Sequence, residues 1–166
     1  MPSLVPSIDR LLFALTLFSA LGCGLVAGIF FAFSAFVMKA LARLPPREGI
    51  AAKQSINVVV LNPWFMVAFL GTAVACVLAL ISPLLRWHKP DAAYLFVGSA
   101  LYLVGTLLVT VVFNVPRNES LASVAPADPN GASRWTAYVA SWTAWNHVRT
   151  AAALAAAASF SLALVC

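Results

Sequence analysis

The 166-residue chain is predicted to be an all-α protein, a polytopic membrane four-helix bundle with an additional interfacial amphipathic helix between spans one and two. Three observations predict it. Hydrophobic residues make up 63% of the chain and charged residues 9%, with a mean hydropathy of +0.96, whereas roughly a quarter of the residues of a soluble domain are charged. Apolar runs long enough for the about 20 residues that cross a bilayer recur four times. Charges and prolines gather between the runs, so a single membrane domain accounts for residues 1–166.

The first span is expected over about 11–38, between Asp9-Arg10 and Lys39. It is longer than the roughly 7 to 15 residues of a signal-peptide core and lacks a cleavage signature, so it is read as retained. Gly24 and Gly28 form a G-x-x-x-G pair that permits close helix approach, and Phe33 and Phe36 share a face by their i,i+3 relation. A Pro45-Pro46 break opens the amphipathic segment, about 46–61, in which Ile50, Gln54, Asn57 and Leu61 recur at helical spacing. Asn62-Pro63 reads as a cap followed by Pro at the first helical position, starting the second span over about 62–85, with Pro83 fraying or kinking its far end. Asp91 is placed to cap the third span, about 91–114, along which Tyr94, Gly98, Tyr102 and Gly105 mark one packed face. Asn114-Val115-Pro116 ends that span, and a flexible loop follows over about 117–133. Ser133 can cap the last helix, whose Trp135, Tyr138, Trp142, Trp145 and Arg149 fall on one face and whose membrane span runs over about 140–165.

The count of Lys and Arg sets the orientation. The first and third connections carry Lys39, Arg43, Arg47, Lys53, Arg117 and Arg134, against Arg10, Arg86 and Lys89 on the other side. This six-to-three bias places both termini outside, as for a protein of the bacterial inner membrane. It brings Asn57, Asn62, Trp64, Asn114, Asn118, Trp142, Asn146, His147 and Arg149 near the cytoplasmic face.

Absences narrow the chemistry. No Asp or Glu lies inside a span, so a carboxylate-coupled antiporter lacks its coupling group and a channel or transporter is disfavoured. His88 and His147 fall at opposite faces, and Cys23, Cys76 and Cys166 have no C-x-x-C spacing, so one subunit offers no metal set, disulfide framework or thiol relay. No glycine-rich phosphate loop opens a helix after a strand, so no nucleotide cradle is recognisable and no cofactor is expected. No basic stripe with interleaved aromatics suggests nucleic acid. One imidazole, one permanent cation, amides and aromatic walls remain, suited to a flat apolar ketone or phenol taken from the bilayer. Imidazole, with an ordinary pKa of about 6.5, suits general-base work, and Arg149 or the amides can stabilise the resulting anion. At about 100° per residue, His147 and Arg149 lie far apart around their helix. Trp142, Trp145 and Arg149 share one face and Thr143, His147 and Thr150 the other, with Asn146 between, so the chemistry is sought on the side of His147 and Asn146, facing Asn62 and Asn114.

Five phrases carry a resemblance: Phe30-Phe31-Ala32-Phe33-Ser34-Ala35-Phe36-Val37-Met38, Gln54-Ser55-Ile56-Asn57, Asn62-Pro63-Trp64-Phe65-Met66, Phe113-Asn114-Val115-Pro116-Arg117-Asn118 and Trp142-Thr143-Ala144-Trp145-Asn146-His147-Val148-Arg149-Thr150. Over about 11–160 the chain resembles the anthrone oxygenase-like family of small membrane proteins. The resemblance implies a four-helix membrane bundle and, from the fungal members, oxidation of an anthrone to an anthraquinone by dioxygen without an identified cofactor. By this analogy His147, Asn146 and Arg149 are the catalytic candidates, and Asn57, Asn62, Trp64, Asn114, Asn118, Trp142 and Trp145 the substrate-binding ones. The alternative is a non-enzymatic membrane protein that binds a lipid, quinone or polyketide, or a subunit of a larger assembly. The Gly24–Gly28 face leaves a homo-oligomer open.

Overall fold

A computed structural model describes residues 5–85, 87–125 and 128–166. Arg86, counted above for orientation, and residues 126–127 of the expected loop lie outside the described residues. Among the described residues the chain is helical without strands, in five helices. Helix α1 comprises Val5–Ala32, a π-helical turn Phe33–Val37 and Met38–Ala42; α2 is Pro46–Val59 and α3 is Pro63–Leu85. Helix α4 comprises Ala92–Ala100, π-helical stretches Leu101–Leu108 and Thr110–Asn114, and Val115–Ala122; α5 is Gly131–Ala163. Three of them, α1, α3 and α4, are long and apolar enough to cross a membrane. Helix α5 carries Asn146, His147 and Arg149 in its middle and is less apolar; its 33 residues reach about 50 Å at 1.5 Å per residue.

The four long helices pack as a ring in which α1 touches α3 and α5, and α4 touches the same two. Helix α2 lies across one end, against α5 and the last turns of α1 and α4. Two apolar cores result. Cys23, Val26, Phe30, Phe69, Cys76, Tyr102, Ala156 and Phe160 fill the ring, and Met38, Ile50, Leu121, Val124, Trp135, Tyr138 and Trp142 fill the end that α2 covers. Hydrogen bonds from Tyr102 Oη to the Phe69 carbonyl (2.9 Å) and from Ser159 Oγ to the Tyr94 carbonyl (2.8 Å) tie α4 to α3 and α5 to α4.

Local chemistry sets the helix ends with some departures from the expectations. Asn62 caps α3, its Oδ1 accepting the Phe65 N–H at 3.0 Å. Asp91 precedes α4 without a capping bond. Helix α5 starts at Gly131 after Asn130, so Ser133 sits inside the first turn and donates to the Asn130 carbonyl instead of capping. Pro116 does not end α4. It occupies the start of the helical segment that follows a π-helical stretch, where its missing N–H costs little, so helix continues to Ala122 and the connection is shorter than 117–133. Helix α3 likewise runs past the buried Pro83 to Leu85. The π turn in α1 rotates Phe36 outward while Phe33 packs on Trp142 at 5.9 Å, so the two do not share a face.

Close helix approach is made elsewhere than at Gly24 and Gly28. A Cβ at either would meet nothing within 4 Å, whereas one at Gly105 would lie 2.5 Å from Ala152 Cβ, and one at Gly22 would strike the Thr72 side chain. Replacing Gly105 by Ala is expected to cost about 1–3 kcal/mol through overpacking, while Gly28→Ala is neutral or stabilising by up to about 1 kcal/mol through helix propensity. Unfolding of the two variants in detergent, side by side, measures the difference.

Candidate functional site

Between the two apolar cores lies a polar layer, drawn from α1 (Ser34), α4 (Thr106, Thr110, Asn114) and α5 (Asn146, Arg149, Thr150), all buried except the half-buried Thr110. Every one of the α1 and α4 members sits in a π-helical stretch. Such stretches are rare and recur at functional sites. Helix α5 is flanked by α1 and α4, so residues on more than one of its sides are enclosed. Asn146 and Arg149, one turn apart, therefore meet: an Arg149 N–H donates to Asn146 Oδ1. Asn146 Nδ2 in turn donates to the Phe30 carbonyl at 2.7 Å and to Ser34 Oγ at 2.6 Å. A second guanidinium nitrogen donates to Thr110 Oγ1 at 3.1 Å, and the group lies 4.1 Å over the Phe30 ring and 5.3 Å over that of Trp142.

Helix α2 brings a second cation. Lys53 is 1% exposed, its Nζ 4.5 Å over the Trp142 indole and near the rings of Tyr138 and Phe33. It donates to Asn57 Oδ1, one turn along its own helix. None of the five acidic residues, Asp9, Glu48, Asp91, Glu119 and Asp128, is buried, and among the described residues no carboxylate pairs with Lys53 or Arg149. Burial, and then the positive charge of Arg149, pull the Lys53 amine down to about 7.

Several buried polar atoms here have no partner among the described residues. They are chiefly donors, Arg149 Nε, Trp142 Nε1, Trp135 Nε1 and Asn57 Nδ2; Asn114 Oδ1 is the acceptor, and the Thr143 hydroxyl is also unpaired.

The sequence candidates separate. Asn57, Asn114, Asn118, Trp142, Asn146 and Arg149 come together: Asn114 Nδ2 donates to the Trp142 carbonyl at 3.3 Å and Asn118 Oδ1 accepts from Tyr138 Oη at 2.9 Å. Asn62 is spent on its cap, and Trp64, 88% exposed, points away from the bundle. Trp145 stacks on Phe113 at 3.5 Å with Arg117 5.9 Å over it, outside the layer. His147 is exposed and lines a groove of about 490 Å³ between α1 and α5 with Phe31, Ser34, Met38, Lys39 and Thr143. Asn146 thus belongs with Arg149, and Ser34 alone touches both the buried layer and the groove. Ser34 Oγ accepts from Asn146, and its hydroxyl donates to no acceptor among the described residues. Lys53 and Ser34 escaped the sequence reading. The available signal was a lysine on the same face of α2 as Ile50 and Asn57, where a solvated charge is out of place.

An all-helical protein suited to a membrane, with a cationic hydrogen-bonded layer in its interior, is thereby defined. The sequence model of the anthrone oxygenase family matches residues 61–159, more than half of the chain, and the chain belongs to that family. The matched stretch supplies α3, α4 and most of α5 and leaves out Ser34 and Lys53. No curated protein and no solved structure matches the chain.

Two outcomes follow from this geometry. Asn146→Ala strips the buried guanidinium of an acceptor and is expected to cost about 3 kcal/mol, read from detergent unfolding. For Lys53 the folded state binds the proton less well than the unfolded chain, whose amine titrates near 10.5, so the penalty is full below about pH 7 and relieved as pH rises toward 10.5. At low ionic strength, stability is expected to climb from pH 7 to 10 by up to about 1.4 kcal/mol per unit, and Lys53→Met to flatten that slope.

Proposed function

We propose that the protein is an integral membrane oxygenase that oxidises a planar aromatic ketone or phenol of the anthrone type with dioxygen, by base-initiated chemistry that calls on no cofactor. In this reading α5 is a fourth span, the termini lie outside, and the site lies near the cytoplasmic face. Lys53, buried against α5, drops out of the loop charges, and the bias becomes five to three. Family membership supports an oxygenase-like activity. The observation that carries the reaction is the direction of one hydrogen-bond chain: Arg149 donates to Asn146, Asn146 donates to Ser34, and the Ser34 hydroxyl is left to donate into the groove beside His147. Donors aligned in one sense polarise one another.

The substrate lies in the groove, whose volume falls within the about 300–1,000 Å³ of small-molecule sites. His147 takes a proton from the methylene next to the carbonyl system, and the enolate oxygen accepts from Ser34, backed by the Arg149 charge. The carbanion adds dioxygen, and the peroxide anion recovers the proton from His147. Loss of water across the remaining C–H and the O–O bond leaves the new carbonyl. One methylene and one dioxygen give one ketone and one water. Asn114 and Asn118 hold Trp142 and Tyr138, the aromatic backing of the layer, in place, and Asn57 holds the Lys53 amine beside them.

A second reading, a carrier or accessory protein for a lipid or quinone, is favoured by the groove's mostly apolar lining and its opening along the α1–α5 surface. The two readings part on one variant. His147→Ala is expected to lower kcat for anthrone consumption and dioxygen uptake by about 10²–10⁴ while the protein still folds in detergent. Full retained turnover would sink the role of His147, and a wild-type protein that binds anthrone without consuming dioxygen would favour the carrier.

A further inference from the structure

The oxygenase reading uses Arg149 but gives Lys53 no task. Two cations lie over the ring of one indole, 4.5 Å and 5.3 Å from its centre, in an interior where none of the described acidic residues is buried. Burying one unpaired charge is costly, and burying two of the same sign adds their repulsion. Cation–π contact with Trp142, Phe30, Tyr138 and Phe33 offsets only part of that cost, being worth about 2 kcal/mol when desolvated. Around these groups the unpaired buried atoms are mostly N–H donors: Arg149 Nε, Trp142 Nε1, Trp135 Nε1 and Asn57 Nδ2. Trp142 and Arg149 are 5% and 4% exposed. Such groups in a native interior call for an explanation, an unseen ion among them. Excess positive charge and excess donors are both relieved by one species, an anion that accepts hydrogen bonds.

We propose that the buried cluster of Lys53, Arg149, Trp142 and Asn57 is a binding site for a small monovalent anion, of the size of chloride or formate, which the two cations attract and the unpaired N–H groups hold. Met38, Ile50 and Tyr138 share one buried apolar cluster with Trp142, so the ligand is limited to a few atoms. Occupancy keeps Lys53 protonated, so anion binding takes up a proton above neutral pH. The charged and titratable groups that face Lys53 are Arg149 and Tyr138, both from α5; α1 presents Phe33, and its own helix the neutral Asn57.

Thermal unfolding of the full chain in detergent tests the site, with sodium chloride or sodium formate exchanged for sodium gluconate at constant ionic strength. Gluconate is too large to enter and supplies the reference. The expected result is a saturable rise in Tm of a few degrees with chloride or formate, larger at pH 6 than at pH 9. In Lys53→Met the rise disappears, and the variant is more stable than wild type in gluconate because a buried unpaired charge has gone. Lys89→Gln, which removes an exposed charge elsewhere, keeps the full rise. Lys53→Gln replaces Lys53→Met should the latter fail to fold. Equal Tm in all three salts, or a rise that survives removal of the Lys53 charge, would overturn the proposal. Because the readout is stability, its outcome stands apart from whether the protein consumes dioxygen.

Discussion

The buried guanidinium of Arg149 is the constraint on which the rest of the interior depends. A permanent cation amid apolar helices must be surrounded by acceptors and π faces, and three helices each supply one. Helix α5 gives Asn146 Oδ1, α4 gives Thr110, and α1 gives the Phe30 ring. Asn146 spends its own donors on the Phe30 carbonyl and Ser34, joining α5 to α1 at one depth. The layer divides the hydrophobic interior into the two cores.

The π-helical stretches in α1 and α4 belong to the same arrangement. A widened turn changes which side chains face inward. In α1 it coincides with Ser34 reaching Asn146 while Phe36 turns outward, and in α4 with Thr106 and Asn114 being buried and Thr110 reaching Arg149. Regular helix spacing would distribute those residues around the axis. Above the layer, small residues let α4 and α5 close on each other, Gly105 against Ala152; below it, α2 seals the end with Ile50 and Lys53. Placing Lys53 there without a carboxylate gives up stability, the usual signature of a position kept for binding or chemistry.

Much of the candidate site was legible from residue type alone. Asn114, Asn118, Asn146 and Arg149 stand out because amides and a cation are conspicuous among apolar residues, and the structure gathers them with Trp142. What misled was the helical wheel. It assigned Asn146 an intermediate position and paired it with His147, because angular position on an isolated helix says nothing of which neighbours enclose it. Asn62 and Trp64 illustrate the converse: an amide followed by proline is first of all a cap, and a Trp at a helix start can face outward. Lys53 looked like a loop charge, and only the packing of α2 onto α5 buries it.

The sequence by itself determined the helical class, the apolar segments and the chemical inventory, because composition and periodicity are properties of the chain read locally. Hydrophobic length fixes which segments suit a bilayer wherever their neighbours sit, and the shortage of acids holds in any fold. Tertiary structure decided the pairing: which glycine meets a neighbour, where π turns break the regular spacing, and that Arg149 binds Asn146 while His147 faces a groove. Those outcomes depend on contacts between residues as distant as Phe30 and Asn146, 116 positions apart, and no local pattern carries such information.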